Sequence, residues 1–155
     1  MPATLRTEIK QTKPFGSLEQ EAQLNIERTA AVLGHAFAEA LRPFGITPTQ
    51  YNALRILRGA GKDGLCRNEV RERLISQVPD VTRLLDRLEE MKLIERQRST
   101  EDRRLVTTRI TSRGTTLLRE LDGPIAEVHK RHLGHMSVRQ LTTLNELLTL
   151  AREAI

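Results

Sequence analysis

Five arginines are the residues of this chain best suited to act on a polyanion: Arg83 and Arg87, then Arg98, Arg103 and Arg104. A guanidinium is permanently charged. Its forked donors match two oxygens of a phosphodiester, or the N7 and O6 edge of guanine. The same arginines have a plainer reading on a solvated surface. Arg83 and Arg87 can pair with Asp86 or Glu90, because residues three or four apart on a helix are neighbours.

The elements that must carry these arginines are legible around them. Val81, Leu84, Leu85, Leu88 and Met91 fall at the spacing of one buried helical stripe. Thr82, Arg83, Asp86, Arg87 and Glu90 fill the opposite, polar face. After Leu93 the period becomes alternating, through Ile94, Arg96 and Arg98, into a turn at Ser99-Thr100-Glu101-Asp102 that continues through Arg103-Arg104. Leu105 to Ile110 then returns as a β-branched strand. Asp102 fits ordinary turn chemistry, and equally a carboxylate that orients Arg103 for a narrow minor groove. From Met91 to Arg113 there are seven basic and three acidic residues. A helix sized for a major groove, joined to an arginine-tipped hairpin, is the outline of a winged helix, and points to double-stranded DNA.

Composition bounds the other function classes. The chain has 155 residues, 38% of them hydrophobic, enough for one domain, or for one domain plus an assembly region. The formal charge of +5 favours polyanionic partners, though most of the charge is mixed. Cys66 is the single cysteine, which excludes an internal disulfide framework and a cysteine-rich zinc site. No apolar run approaches the roughly 20 residues that span a bilayer, and no secretory leader is evident, so a cytoplasmic location without membrane contact is expected. Only 3% of residues are aromatic, which argues against single-strand binding on stacking platforms. No nucleophile motif, glycine-rich phosphate loop or metal signature is evident, so no enzyme activity, catalytic residue or cofactor is expected.

Helices with clear punctuation account for the rest. Residues 1–16 are polar, contain Pro2 and Pro14, and read as a flexible arm. Ser17 and Gln20 form a capping box for a long helix that runs to about Arg42, where Pro43-Phe44-Gly45 stops it. Thr47 and Gln50 form a second box, with Pro48 opening a helix that ends at Gly59-Ala60-Gly61. A short helix from Arg67 to Leu74 follows, then a tight connection from Ile75 to Val78, with Pro79 in the first turn of the arginine-bearing helix. These two helices form a helix-turn-helix. Thr111-Ser112 caps a helix carrying Leu117, Leu118, Leu121, Ile125 and Val128, which Gly123-Pro124 should bend. Ser137 and Gln140 form a third box before a last helix with Leu141, Leu144, Leu147 and Leu148. His129, His132 and His135, with Glu127, have a spacing that can share a helical face. Gly134 weakens that helix and no fourth ligand is evident, so the histidines are read as a solvated or interfacial surface and no metal is assigned.

The residues Thr82-Arg83-Leu84-Leu85-Asp86-Arg87-Leu88-Glu89, then Leu93-Ile94-Glu95-Arg96, Asp102-Arg103-Arg104, and Ile110-Thr111 with Gly114 resemble the MarR family of winged-helix regulators. The similarity runs from about Ser17 onward and is densest between Pro48 and Leu118. It implies a mainly α fold with a small β-wing, a winged helix-turn-helix flanked by N- and C-terminal dimerisation helices. Residues 17–46 and 111–155 would be the dimerisation helices, and 47–110 the DNA-binding lobe. It also implies homodimers on pseudo-palindromic operators, and repression relieved by a small phenolic or other anionic effector. Candidate DNA contacts are Ser76, Gln77, Pro79, Asp80, Thr82, Arg83, Arg87, Arg98, Arg103 and Arg104.

Three features depart from the family pattern. Lys92 stands where glycine is usual, and a left-handed backbone there would carry strain on the order of 1 kcal/mol. Asp80 stands in the first turn of the arginine-bearing helix, where relatives often have a hydroxyl or amide. It either complements the helix N-terminus or accepts from cytosine N4. Cys66 is misplaced for the peroxide-sensing cysteine of one branch. Tyr51, Arg55, His35 and Phe37 can line an effector pocket or belong to core and surface, and no effector residue is assigned. The alternative function is a winged-helix interaction module that has lost DNA binding.

Overall fold

The structure, a computed structural model, describes residues 3–153. In order it contains α1 (Leu5–Glu8), α2 (Leu18–Leu41), α3 (Pro48–Ala60), α4 (Arg67–Arg73), α5 (Val81–Glu90), β1 (Ile94–Arg98), β2 (Val106–Ile110), α6 (Ser112–Leu133) and α7 (Val138–Arg152). The stretch expected as an arm carries the helical turn α1, with Leu5 buried and Glu8 3.7 Å from Arg28 of α2.

Local chemistry sets most helix starts. At Thr47 the hydroxyl accepts the Gln50 N–H at 3.2 Å, and the Gln50 amide oxygen accepts the Thr47 N–H at 3.0 Å. Ser137 and Gln140 repeat this reciprocal pair at 3.2 and 2.9 Å. The box expected at Ser17 forms only in part. Ser17 accepts from Gln20, but the Gln20 side chain takes the Gly16 N–H at 2.7 Å, one residue further out. Helix α6 continues through Pro124, from Ser112 to Leu133.

The core gathers where the amphipathic faces of α3, α5 and α6 meet the wing. Leu54, Leu57, Leu85, Leu88, Ile94, Leu118 and Leu121 are all nearly inaccessible. At roughly 1.5–3 kcal/mol for each large aliphatic side chain, this cluster is what holds α5 to its neighbours. The long helix α2 buries only Leu41, and α7 buries no residue. Among the described residues no helix is long and apolar enough to cross a membrane.

The wing is a two-stranded antiparallel sheet with Ile94 opposite Ile110 and Arg98 opposite Val106. Leu105, expected in the second strand, lies before it and is exposed. Leu65 adds a third strand position: its N–H donates to the Thr108 carbonyl at 2.9 Å and its carbonyl accepts the Thr108 N–H at 2.8 Å. Thus Leu65, two residues before α4, is stitched to the wing.

Lys92 is left-handed, with φ of 61°. The Lys92 N–H donates to Glu89 O at 2.8 Å and the Leu93 N–H to Leu88 O at 3.0 Å, the two bonds of a Schellman cap closing α5. Such a cap favours glycine, because a Cβ crowds the following carbonyl. Lys92→Gly should therefore raise stability by about 0.5–1 kcal/mol, the relieved strain being partly offset by glycine's unfolded-state entropy. The check is the urea midpoint at unchanged slope. A lower midpoint would contradict a strained cap.

Candidate nucleic-acid interface

Helix α5 begins one residue after Asp80, not within the first turn after Pro79. Asp80 is the cap, its Oδ1 accepting the Arg83 N–H at 2.9 Å. Pro79 lies outside the helix, in the connection from Leu74. The sequence pattern misplaced this start because proline suits a first helical position, whereas an aspartate side chain here satisfies the free N–H group. The Ile75 N–H donates to Asn52 Oδ1 at 2.9 Å, which ties the connection back to α3.

All ten candidate contact residues are exposed. Arg87 is held by Glu90 at 3.0 Å, while Arg83 makes no side-chain hydrogen bond or ion pair among the described residues. Of the two arginines on this helix, Arg83 is the one whose donors are free. Thr82 accepts a hydrogen bond from Arg67 Nη1 of α4 at 3.1 Å. Ser76, exposed like the others, also lines a crevice with Phe37, Tyr51 and His129. Gln77 lies in the connection without a side-chain bond among the described residues.

The wing tip is held by its small polar side chains. Ser99 Oγ accepts the Glu101 and Asp102 N–H groups at 3.2 and 3.3 Å, and Asp102 Oδ1 accepts the Arg104 N–H at 3.0 Å. Asp102 therefore takes the turn role; its carboxylate organises backbone, and no bond to the Arg103 guanidinium is present. Arg98 and Arg103 have no ion pair among the described residues.

Arg96, which in sequence reads as hairpin charge and as the end of the Leu93–Arg96 motif, joins the wing to α5. Its Nη2 lies 2.6 Å from Asp86 Oδ1 and 2.5 Å from Glu89 Oε2, and its Nε donates to Glu89 at 3.0 Å. The bonds to Glu89 and then Asp86 hold its charge more firmly than in a free arginine, against the opposing effect of burial. The arrangement ties the wing to α5 and offsets part of the negative charge of Asp86 and Glu89, whose side chains stay 49% and 40% exposed. Arg109 is likewise occupied, donating to Lys62 O and Gln97 Oε1.

Two concavities flank the helix-turn-helix. A groove of about 340 Å³ runs between α4, α5 and the wing, lined by Arg67, Thr82, Leu85, Arg96 and Arg104 among others. On the other side, a crevice of about 310 Å³ lies between α2, α3, α6 and the Leu74–Ser76 connection. There the Phe37 and His129 rings stack at 6.3 Å, Tyr51 meets Phe37 edge-on at 5.4 Å, and Arg55 sits 5.9 Å over the Tyr51 ring. Burial pushes the Tyr51 phenol up, with Arg55 and Arg58 pulling against it. Among the described residues no group of three His, Cys, Asp or Glu side chains is placed to hold a metal ion.

This architecture defines a winged helix-turn-helix protein. The family model described as MarR family matches residues 44–105. A MarR transcription factor from Planctomyces limnophilus is 37% identical, with the alignment covering 88% of this chain and 99% of that one at a TM-score of 0.69. The HTH-type transcriptional repressor MdtR of Bacillus subtilis (strain 168) is 26% identical over 129 residues, 83% of this chain and 82% of that protein. The S. aureus MepR–DNA complex, 23% identical, shares the fold at a TM-score of 0.78, covering 86% of this chain and 97% of that one. The chain belongs to the MarR family of winged-helix transcriptional regulators. It is thus a DNA-binding transcription factor and not an enzyme.

Proposed function

We propose that this regulator is a homodimeric, cytoplasmic repressor. It would bind a pseudo-palindromic operator through α5 and the wing, and leave it when a small molecule occupies the Phe37–Tyr51–His129 crevice. The observation that carries this reading is the set of exposed guanidinium groups that are unpaired among the described residues. Arg83 offers its donors on the open face of α5, and Arg98 and Arg103 offer theirs on the wing, while neighbouring acids are tied up by Arg96 and Arg87. A scaffold kept only for protein contacts has no need of this arrangement.

In this reading residues 47–110 form the reading lobe, and residues 17–46 and 111–155 the assembly helices. Support for assembly comes from α7, which buries nothing within the chain and leaves Leu147 58% and Leu150 61% exposed. Such a surface is covered most simply by a second copy. Support for effector control comes from the position of the crevice. It touches α2 and α6 on one side and Ser76 on the other, so an occupant would bias the placement of α5 relative to the assembly helices.

The test is duplex binding measured across a salt series. Phosphate neutralisation predicts a steep, log-linear loss of affinity. Arg103→Ala should lower the slope by about one unit on every duplex if it meets a phosphate, and should cost more on A·T-rich flanks if it enters the minor groove. Affinity indifferent to salt would overturn the DNA-binding assignment.

A further inference from the structure

The hydrogen bond between Arg67 and Thr82 joins the first helix of the helix-turn-helix to the second. At 3.1 Å it places the exposed Arg67 guanidinium beside the first turn of α5. The bond uses one N–H of the guanidinium and leaves its other donors without a partner among the described residues. Arg67 makes no ion pair among them either, and the nearby acid Glu69 accepts the Cys66 N–H at 2.8 Å instead.

The groove of about 340 Å³ between α4, α5 and the wing is correspondingly one-sided in charge. Arg67, Arg96 and Arg104 line it, and among the described residues no carboxylate does. Arg96 is paired with Asp86 and Glu89, whereas the exposed Arg104 side chain has no hydrogen bond or ion pair among the described residues. Two free guanidinium groups thus face one concavity, Arg67 from α4 and Arg104 from the wing. A cleft lined by one sign of charge concentrates its field on a polyanion.

We propose that this groove seats the DNA backbone, with Arg67 a phosphate contact on one wall and Arg104 on the other. The inference rests on the proposed approach of α5 to DNA and deepens it. In a helix-turn-helix the second helix enters the major groove while the first crosses the backbone. Arg67 opens that first helix, and a guanidinium fork matches two phosphate oxygens. Thr82 holds one side of the fork before DNA arrives, so less side-chain freedom is lost on binding. Such a contact sets the register of α5 without reading a base.

The experiment is duplex binding by the full-length protein across a salt series, on a selected site and on random duplex, with melting temperatures confirming that each variant is folded. Arg67→Ala should weaken binding to both duplexes about three- to tenfold and lower the log–log salt slope by about one unit. The Arg67→Ala/Arg104→Ala double variant should lower the slope by about two units. Arg67→Lys, which keeps the charge, should retain the native slope. Arg152→Ala, which removes the same charge from the last turn of α7, should leave it unchanged. Sequences selected from random duplexes by Arg67→Ala should show the native base preferences. An unchanged slope in Arg67→Ala, or an equal fall in Arg67→Lys or Arg152→Ala, would overturn the inference alone. A base preference altered at one position would do the same, because Arg67 would then read a base. A native protein indifferent to salt would overturn the DNA-binding assignment, and this inference with it.

Discussion

Gly64→Ala is expected to lower the unfolding free energy by about 3 kcal/mol, from two sources that act together. The backbone at Gly64 has φ of 64° and ψ of −169°, a region essentially restricted to glycine, where another residue carries about 1–3 kcal/mol of strain. A Cβ there would also lie 2.5 Å from the Thr108 carbonyl oxygen and 2.7 Å from the Thr107 methyl. That carbonyl cannot retreat without breaking the Leu65–Thr108 pair, and Thr108 is itself only 1% exposed. Overpacking of this kind adds about 1–3 kcal/mol. Urea denaturation at constant slope measures the cost. A loss below about 1 kcal/mol would mean that the third strand position is not a rigid part of the wing.

Arg83→Ala is expected to cost about 1–3 kcal/mol of operator binding and less on random duplex, provided that Arg83 reads a base. By capping the Arg83 N–H, Asp80 fixes the start of α5, which sets where the Arg83 side chain leaves the helix. Arg87, one turn on, is already shared with Glu90, so its substitution should matter less. Binding isotherms on operator and on a scrambled duplex separate the roles. Equal losses on both would reduce Arg83 to a backbone clamp.

Sequence reading succeeded for most features whose determinants are local. The stripe Val81, Leu85, Leu88 is buried as its period required, the strands bracket the turn near Ser99–Asp102, and Lys92 has the left-handed backbone that its position demanded. It failed where a partner came from elsewhere in the chain. Arg96 reads as hairpin charge until the fold brings Asp86 and Glu89 to it. Arg67 carries no local mark of its contact with Thr82, and Leu65 none of its pairing with Thr108. Pro79 and Asp80 show a subtler failure. Two rules for helix starts competed over adjacent residues, and the side-chain cap prevailed over the proline. For the exposed arginines, the sequence could not say which are free, because freedom is set by which acids the fold leaves unspent.

The measurement closest to the central claim is selection of bound sequences from random duplex DNA by the purified protein, with the recovered sites read for symmetry. Two copies of α5 related by a two-fold axis should lie about 34 Å apart, one turn of duplex. The recovered sites should form an inverted repeat with half-site centres about one helical turn apart, with the strongest preferences under Thr82 and Arg83. Enrichment of sites without dyad symmetry, or no enrichment at all, would contradict it.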